Sequence, residues 1–264
     1  MCIWQLYYSA LSAGVIPWTD SKLQMSWFSP VKKAIKNSFH DSIQVKSAKD
    51  IRQLVVLAIE GEFDVVQVPV HIGMYLIDHY QFRPIVILNG EPTSVAQVVL
   101  VTSTNSNIHS LTQAAEFSLA LGSPLTLTNQ IAISWFKKEG LIPTVHFLPN
   151  QMHVLQGVIK DKYQSGAIIS GMYDTLTPVL KNNLKLIKRS QVHISGLLVA
   201  RPGYDLERQD KLRAIFLNAS ITNAGFLQSV LPANEEWMKK LRTMLAPFYS
   251  EITNEIELNV ESKQ

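Results

Sequence analysis

Strands and helices alternate along this chain in an order that predicts an α/β fold of two lobes, each a mostly parallel sheet flanked by helices, joined by two crossover strands. Three observations carry the expectation. Short apolar runs bounded by Gly, Pro, Asn or Asp alternate with segments whose apolar residues recur at helical spacing, the pattern of βαβ units. Two long apolar strands of similar character, Val95–Val101 and Val192–Ala200, bracket the middle of the chain. The bracketed stretch is an α/β series in its own right. Residues 1–100 and 193–264 are therefore expected to form one discontinuous lobe, with 101–192 inserted as the second. A chain of 264 residues has the length for this and for a sizeable core.

Each element follows from local chemistry. Tyr7–Ile16 reads as the first strand, closed by Pro17-Trp18-Thr19-Asp20. Ser29-Pro30 opens a helix with Val31, Ala34, Ile35 and Phe39 on one face and Lys32, Lys33 and Lys36 on the other. Ile43–Val45 is a short strand. Asp50–Glu60 is a helix carrying Ile51, Leu54, Val55, Ala58 and Ile59, stopped by Gly61. Phe63–Val68 is a strand ended by Pro69, His71–Tyr80 a helix, and Pro84–Leu88 another strand. After Val95–Val101 and the polar stretch Thr102–Asn107, the second series begins at Ser110 with a short helix. Strand Phe117–Leu121, helix Gln130–Glu139, strand Thr144–Phe147 and helix Met152–Lys160 follow. Strand Gly166–Ile169, a helix after Met172 and strand Leu184–Ile187 complete it. Helices Asp205–Leu217 and Glu235–Leu245 come after the return strand Val192–Ala200, and the polar tail from Asn254 is expected to fray. No internal repeat is legible.

Composition excludes several functions. Hydrophobic residues make up 47% and charged residues 17%, an ordinary globular balance. The net charge of +3 is spread along the chain; besides the solvated lysine face, only Lys185, Lys188 and Arg189 form a looser basic group. No aromatic-interleaved basic stripe exists, so no nucleic-acid partner is expected. The single cysteine, Cys2, permits neither an intrachain disulfide nor a cysteine-built metal site. No apolar run reaches the roughly 18–20 residues that span a bilayer. Met1–Ala13 is apolar and ends in Ala10-Leu11-Ser12-Ala13, but it lacks a basic leading segment and reads as a first strand and not as a signal peptide. Nucleophile-elbow, phosphate-loop and zincin motifs are missing, and His146 and His153 straddle a loop with no carboxylate nearby. Neither catalysis, a cofactor nor a metal is expected.

The most informative stretch is the strand-to-helix junction Leu121-Gly122-Ser123-Pro124-Leu125-Thr126-Leu127-Thr128-Asn129-Gln130. A helix start exposes unpaired N–H groups and the positive end of the helix dipole, and hydroxyls gathered there suit an anion. Thr126 or Thr128 could instead simply cap the helix. Ligands in open α/β sheets sit outside the carboxyl ends of strands. The loops at Pro17–Asp20, Val68–His71, Ser103–Ser106 and Pro124–Asn129 are therefore expected to line one interlobe cleft that closes by a hinge movement. Trp18 would stack on the ligand or bury itself between loops. His71 would donate a hydrogen bond or serve the helix start. Ser103, Ser170 and Tyr173 would face the cleft or satisfy local groups.

The same residues carry a resemblance. Leu11-Ser12-Ala13-Gly14-Val15-Ile16-Pro17 resembles the first strand of the phosphate/phosphonate-binding family of ABC-transporter periplasmic proteins. Glu60-Gly61-Glu62-Phe63-Asp64-Val65-Val66 resembles that family's Gly-x-x-Asp-Val segment, and Val98-Val99-Leu100-Val101 with Ser110-Leu111 its crossover strand and following helix. Ser123-Pro124-Leu125-Thr126-Leu127-Thr128-Asn129 stands where the family has Asp-Pro-x-Ser-Thr-Ser-Gly, and Leu197-Leu198-Val199-Ala200-Arg201-Pro202 resembles its return strand. The match runs from residue 11 to about 217.

The resemblance implies a two-lobed type II periplasmic-binding-protein-like fold. It also implies a monomeric solute-binding protein that captures a small anionic or polar, phosphonate- or phosphate-like ligand in the periplasm and presents it to an ABC permease or membrane sensor. Thr126, Thr128, Asn129 and Gln151 would bind from one lobe, with Trp18 and His71 answering from the other. The departures also bear on the ligand. Leu127 replaces a threonine and Asn129 a glycine, Gln151 stands where the family carries a His, and Gln164 where it carries an acid. Fewer groups remain to neutralise a doubly charged phosphonate. A less charged ligand follows, or a sensory or interaction module with a repurposed cleft.

Overall fold

The computed structural model describes residues 10–16, 21–39, 42–88, 96–194, 196–218, 230–246, 253–254 and 256–257. In chain order the elements are β1 (Leu11–Val15), α1 (Ser21–Phe39), β2 (Ile43–Ser47), α2 (Ile51–Ile59), β3 (Val65–Pro69), α3 (Val70–Tyr80) and β4 (Arg83–Leu88). They continue as β5 (Ala96–Ser103), α4 (Leu111–Ala115), β6 (Ser118–Leu121), α5 (Leu127–Lys138), β7 (Thr144–Phe147), α6 (Gln151–Ile159) and β8 (Ser165–Ile169). The remainder are α7 (Ser170–Asp174), α8 (Pro178–Lys181), β9 (Leu184–Ile194), β10 (Gly196–Ala200), α9 (Leu206–Asn218), β11 (Val230–Pro232) and α10 (Glu235–Leu245).

Two compact units result, residues 1–88 with 196–238 and residues 89–195 with 239–264. The expected division at 100 and 193 differs from this because a strand keeps its whole ladder in one sheet. β5 pairs with β8 and, along its full length from Ala96 to Ser103, with β9, so residues before 100 stay in the second unit. β9 likewise runs to Ile194, and the expected single strand Val192–Ala200 is divided between β9 and β10. The C-terminal segment from Lys239 also groups with the second unit, and Ile256, expected in a frayed tail, is fully buried.

The first unit holds a six-stranded sheet in the order β11-β4-β10-β3-β1-β2. β1 pairs in parallel with β2 and β3, whereas β10 lies antiparallel between β3 and β4. β1 to β4 therefore share one direction, and the return strand enters the interior of the sheet. Strands covered on both faces read as continuous apolar runs, and Val65, Val66 and Val68 are at most 2% exposed. Val31 and Ile35 of α1 and Leu212 and Phe216 of α9 close the core over Leu11, Ala13 and Val15 of β1. α1 starts at Ser21, eight residues before the expected Ser29-Pro30 start, so Pro30 lies within the helix, where it omits one backbone donor.

The second unit holds a five-stranded sheet in the order β7-β6-β8-β5-β9, with β6 parallel to β7 and β8 and β5 antiparallel to β8 and β9. The backbone repeats the first unit where the sequence does not. Asp50 caps α2 by accepting from the Gln53 N–H, and Asn150 caps α6 by accepting from the His153 N–H. Gly61 and Asp161 take left-handed φ of 83° and 54° after those helices. Asp64 precedes β3 and Gln164 precedes β8, every pair at an offset of 100 residues. Asp64 then accepts from the Ser12 N–H and Oγ at 2.9 and 3.1 Å, and Gln164 Oε1 accepts from the Ser118 N–H and Oγ. One lock ties the start of β1 to the start of β3, and the other the start of β6 to the start of β8.

Candidate functional site

The β6–α5 junction is built to hold its backbone donors open. Thr126 is extended, with φ −96° and ψ 137°, and turns the chain into α5 at Leu127, three residues ahead of the expected start at Gln130. The N–H groups of Asn129 and Gln130 bond back to the Thr126 carbonyl at 3.0 and 3.4 Å. Leu127 and Thr128, the first two helical residues, have no intrahelical acceptor for theirs. Thr126 occupies the cap position but makes no side-chain cap bond, and its buried Oγ1 has no hydrogen-bond partner among the described residues. The capping alternative is thus not what its hydroxyl does.

Asn129 shapes the loop. Fully buried, it directs Nδ2 at the carbonyls of Gly122, Ser123 and Pro124 at 3.1, 2.8 and 3.3 Å, folding the loop over the helix start. Its Oδ1 has no partner among the described residues. Thr128, 3% exposed, accepts from Gln151 Nε2 at 3.1 Å. Gln151, first residue of α6, also accepts from the Ile169 N–H through Oε1 at 2.8 Å. That second bond fixes which end of the carboxamide faces Thr128. Thr128 Oγ1 is then an acceptor toward Gln151, and its hydroxyl hydrogen remains for another acceptor.

Ile169 ends β8, so the same arrangement reaches the β8–α7 junction at the carboxyl edge of the second sheet. Ser170 Oγ accepts there from the Gln97 N–H at 2.9 Å. Tyr173, one turn on in α7, lies under the Lys181 ammonium, whose Nζ is 4.8 Å from the ring centroid. Thr126, Thr128, Asn129, Gln151 and Ser170 are all neutral. Gln97, which sequence reasoning did not single out, braces this edge, donating through Nε2 to the Ser190 carbonyl at 2.6 Å. Nothing in the local sequence marks it, because its partners lie 73 and 93 residues away.

Other expected site residues are placed elsewhere. Ser103 ends β5, which runs antiparallel to β8, so it lies at the opposite, amino edge of that sheet. Its Oγ accepts from the Asn105 N–H at 3.2 Å and closes a turn. Gln164 belongs to the same edge and to the Ser118 lock, so its neutral side chain says nothing about the ligand. His153 is exposed and shares the capping oxygen of Asn150. His71 is the second residue of α3 in the first unit, following the carboxyl end of β3, and is 1% exposed. Trp18 and the loop Pro17–Asp20 lie outside the described residues. Among the described residues no group of three or more His, Cys, Asp or Glu could hold a metal ion, and no helix is long and apolar enough to cross a membrane.

Comparisons with known proteins bear on the family and the fold. The family described as "ABC transporter, phosphonate, periplasmic substrate-binding protein" matches residues 13–246. No curated protein sequence matches the chain. Among solved structures, PhnD1 from Prochlorococcus marinus in complex with methylphosphonate superposes with a TM-score of 0.75 at 14% identity, over 90% of this chain and 97% of that one. A binding-protein component of an ABC phosphonate transporter from Pseudomonas aeruginosa gives 0.74 at 15% identity, over 97% and 99%. The periplasmic aliphatic sulphonate binding protein SsuA from Escherichia coli gives 0.62 at 13%, over 92% of each chain. These likenesses show the type II periplasmic-binding-protein fold. With the family match covering most of its length, the chain belongs to the periplasmic substrate-binding proteins of ABC phosphonate transporters.

Proposed function

We propose that this chain captures a small phosphonate- or phosphate-like anion at the amino end of α5, in the periplasm, and hands it to an ABC permease. The observation that supports this most is the set of neutral donors at the β6–α5 junction. It comprises the first-turn N–H groups, the Thr126 hydroxyl, which has no partner among the described residues, and the Thr128 hydroxyl oriented by Gln151. Helix dipole and N–H groups together favour negative charge there. The chemistry is capture and release, in which a ligand shifts the protein toward its bound conformation. Ser170 and Tyr173 border the same edge and would complete the ligand contacts on this unit.

A thermal-shift screen with phosphate, methylphosphonate, sulfate, methanesulfonate and carboxylates tests the proposal. A ligand at 100 times its dissociation constant stabilises the native state by about 2.7 kcal/mol. A hit abolished by Thr126→Val with Thr128→Val supports the site. A hit that survives the double substitution places the ligand elsewhere.

A further inference from the structure

We infer that Asn129 is a positioning residue for anion capture: it holds three loop carbonyls to itself, so that the first-turn N–H groups of α5 stay open to a ligand. The inference rests on the α5 amino end being the ligand site. A carboxamide offers two hydrogens and one acceptor oxygen. Both hydrogens of Asn129 are committed, because Nδ2 stands 3.1, 2.8 and 3.3 Å from the carbonyl oxygens of Gly122, Ser123 and Pro124. Its Oδ1 is an acceptor and gives a bare oxyanion nothing to bond. The direct ligand contact that the family resemblance implies for Asn129 is replaced by an indirect role.

That role follows from where the loop carbonyls lie. The Ser123 carbonyl already reaches the helix start, accepting from the Thr126 N–H at 3.2 Å. The next donors along the chain are the N–H groups of Leu127 and Thr128, which have no intrahelical acceptor. Backbone carbonyls are obligatory acceptors, so carbonyls released from Asn129 would compete with the ligand for those two groups. A second contact carries the role to the Thr128 hydroxyl. A Cβ placed on Gly122 would stand 3.4 Å from Gln151 Cγ, so the backbone that Asn129 holds packs beside Gln151. Gln151 in turn donates to Thr128 Oγ1 at 3.1 Å. Asn129 keeps this arrangement at a cost to folding. The residue is fully buried, and its Oδ1 has no partner among the described residues. An unmet buried acceptor is unfavourable, and stability alone gives no reason to retain it.

The test is NMR and calorimetric titration of the full chain with methylphosphonate, inorganic phosphate and methanesulfonate. In the parent protein the Leu127 and Thr128 amide protons should move downfield as ligand binds, while the Asn129 side-chain amide keeps its shifts and exchanges slowly. An Asn129 side-chain amide that moves with the other two makes it a ligand contact and overturns the inference. This arm needs no variant, so it decides between contact and positioning even if a substitution prevents folding. Asn129→Ala should weaken binding about ten- to 100-fold, the effect of losing one aligned donor to a charged ligand. Ser134→Ala is the control: farther along α5, it removes a buried bond to the Ile131 carbonyl at 2.7 Å. It should lower the melting temperature and leave affinity unchanged. Equal losses of affinity in both variants assign the effect to helix stability and overturn the inference. Asn129→Ala that melts lower yet binds within about twofold of the parent overturns it too, and leaves the site standing. Leu127 and Thr128 amides that no probe moves in the parent remove the site reading itself, and the inference with it.

Discussion

Gln151→Glu isolates the electrostatics of the site with almost no change of shape. A carboxylate still accepts from the Ile169 N–H, so the bond at 2.8 Å persists. It can no longer donate to Thr128 Oγ1, which now lies 3.1 Å from the amide nitrogen, and takes the hydroxyl hydrogen instead. The change also brings a negative charge toward the ligand. A ligand oxygen about 2.8 Å beyond Thr128 Oγ1 would lie roughly 5–6 Å from the carboxylate. At an effective dielectric constant near 20, one pair of like charges at that distance costs about 3 kcal/mol. The separation is shorter than the Debye length of about 8 Å at physiological salt, so screening does not erase the effect. Affinity should therefore fall about 100-fold, while thermal stability changes by less than about 1 kcal/mol because the buried N–H keeps its partner. The measurement is a calorimetric titration with the tightest binder among methanesulfonate, methylphosphonate and phosphate, paired with a melt of the free protein. Gln151→Leu is the counterpart: it strands the Ile169 N–H and should cost about 1–3 kcal/mol of stability. A Gln151→Glu variant that binds within about threefold of the parent would refute the placement of Gln151 between Ile169 and the ligand.

Three further outcomes follow from the fold. Gly166→Ala sets a Cβ 2.6 Å from Val154 Cγ1 and 2.9 Å from Val158 Cγ2, so α6 must shift. It should lose about 1–3 kcal/mol in urea melts, and adding Val154→Ala should return part of it. Asp64→Ala unpairs the Ser12 N–H and the Arg201 guanidinium, whose Nε lies 3.1 Å from Asp64 Oδ1. The variant should melt with about 2 kcal/mol less stability and unchanged anion affinity; full stability would show that the lock is ornamental. Burial pushes the Tyr204 phenol from 10.0 up to about 12, and its hydroxyl has no partner among the described residues. The folded state then holds this proton while the unfolded state releases it, so stability declines as pH rises from about 10 to about 12, by at most about 3 kcal/mol. Tyr204→Phe should flatten that part of the stability profile relative to the parent, and an identical alkaline slope would refute the assignment.

Much of the architecture was legible in the chain. Asp50, Gly61 and Ser110 mark helix boundaries that the backbone observes, and apolar runs such as Phe63–Val68 and Pro84–Leu88 coincide with β3 and β4 within two or three residues. Periodicity and punctuation act locally, so they survive in a one-dimensional reading. The insertion of β10 between β3 and β4, and of β5 between β8 and β9, was not legible. Strand order depends on ladders between residues far apart in sequence, as in Leu197 opposite Val68. The start of α1 was missed because Pro30 looks like a first-turn proline yet stands inside the helix.

The candidate site divides along the same line. Sequence alone determined that a helix begins near Thr126 to Gln130 with hydroxyls at its start, because the turn residues Gly122, Ser123 and Pro124 and the following apolar spacing are contiguous. It also determined the neutral character of positions 126, 128, 129 and 151, since residue type needs no coordinates. Only the tertiary structure decided that Gln151 bonds to Thr128 at the start of α5 and that Gln164 bonds to Ser118 at the other end of the sheet. Both are amides flanking the second unit's strands, but one meets the carboxyl end of β8 and the other its amino end. Only the fold decided that Ser103, expected beside Thr126, lies on the far edge of the sheet. The reason is directional: which end of a strand a residue occupies in space depends on whether its strand runs with or against its neighbours, and β5 runs against β8.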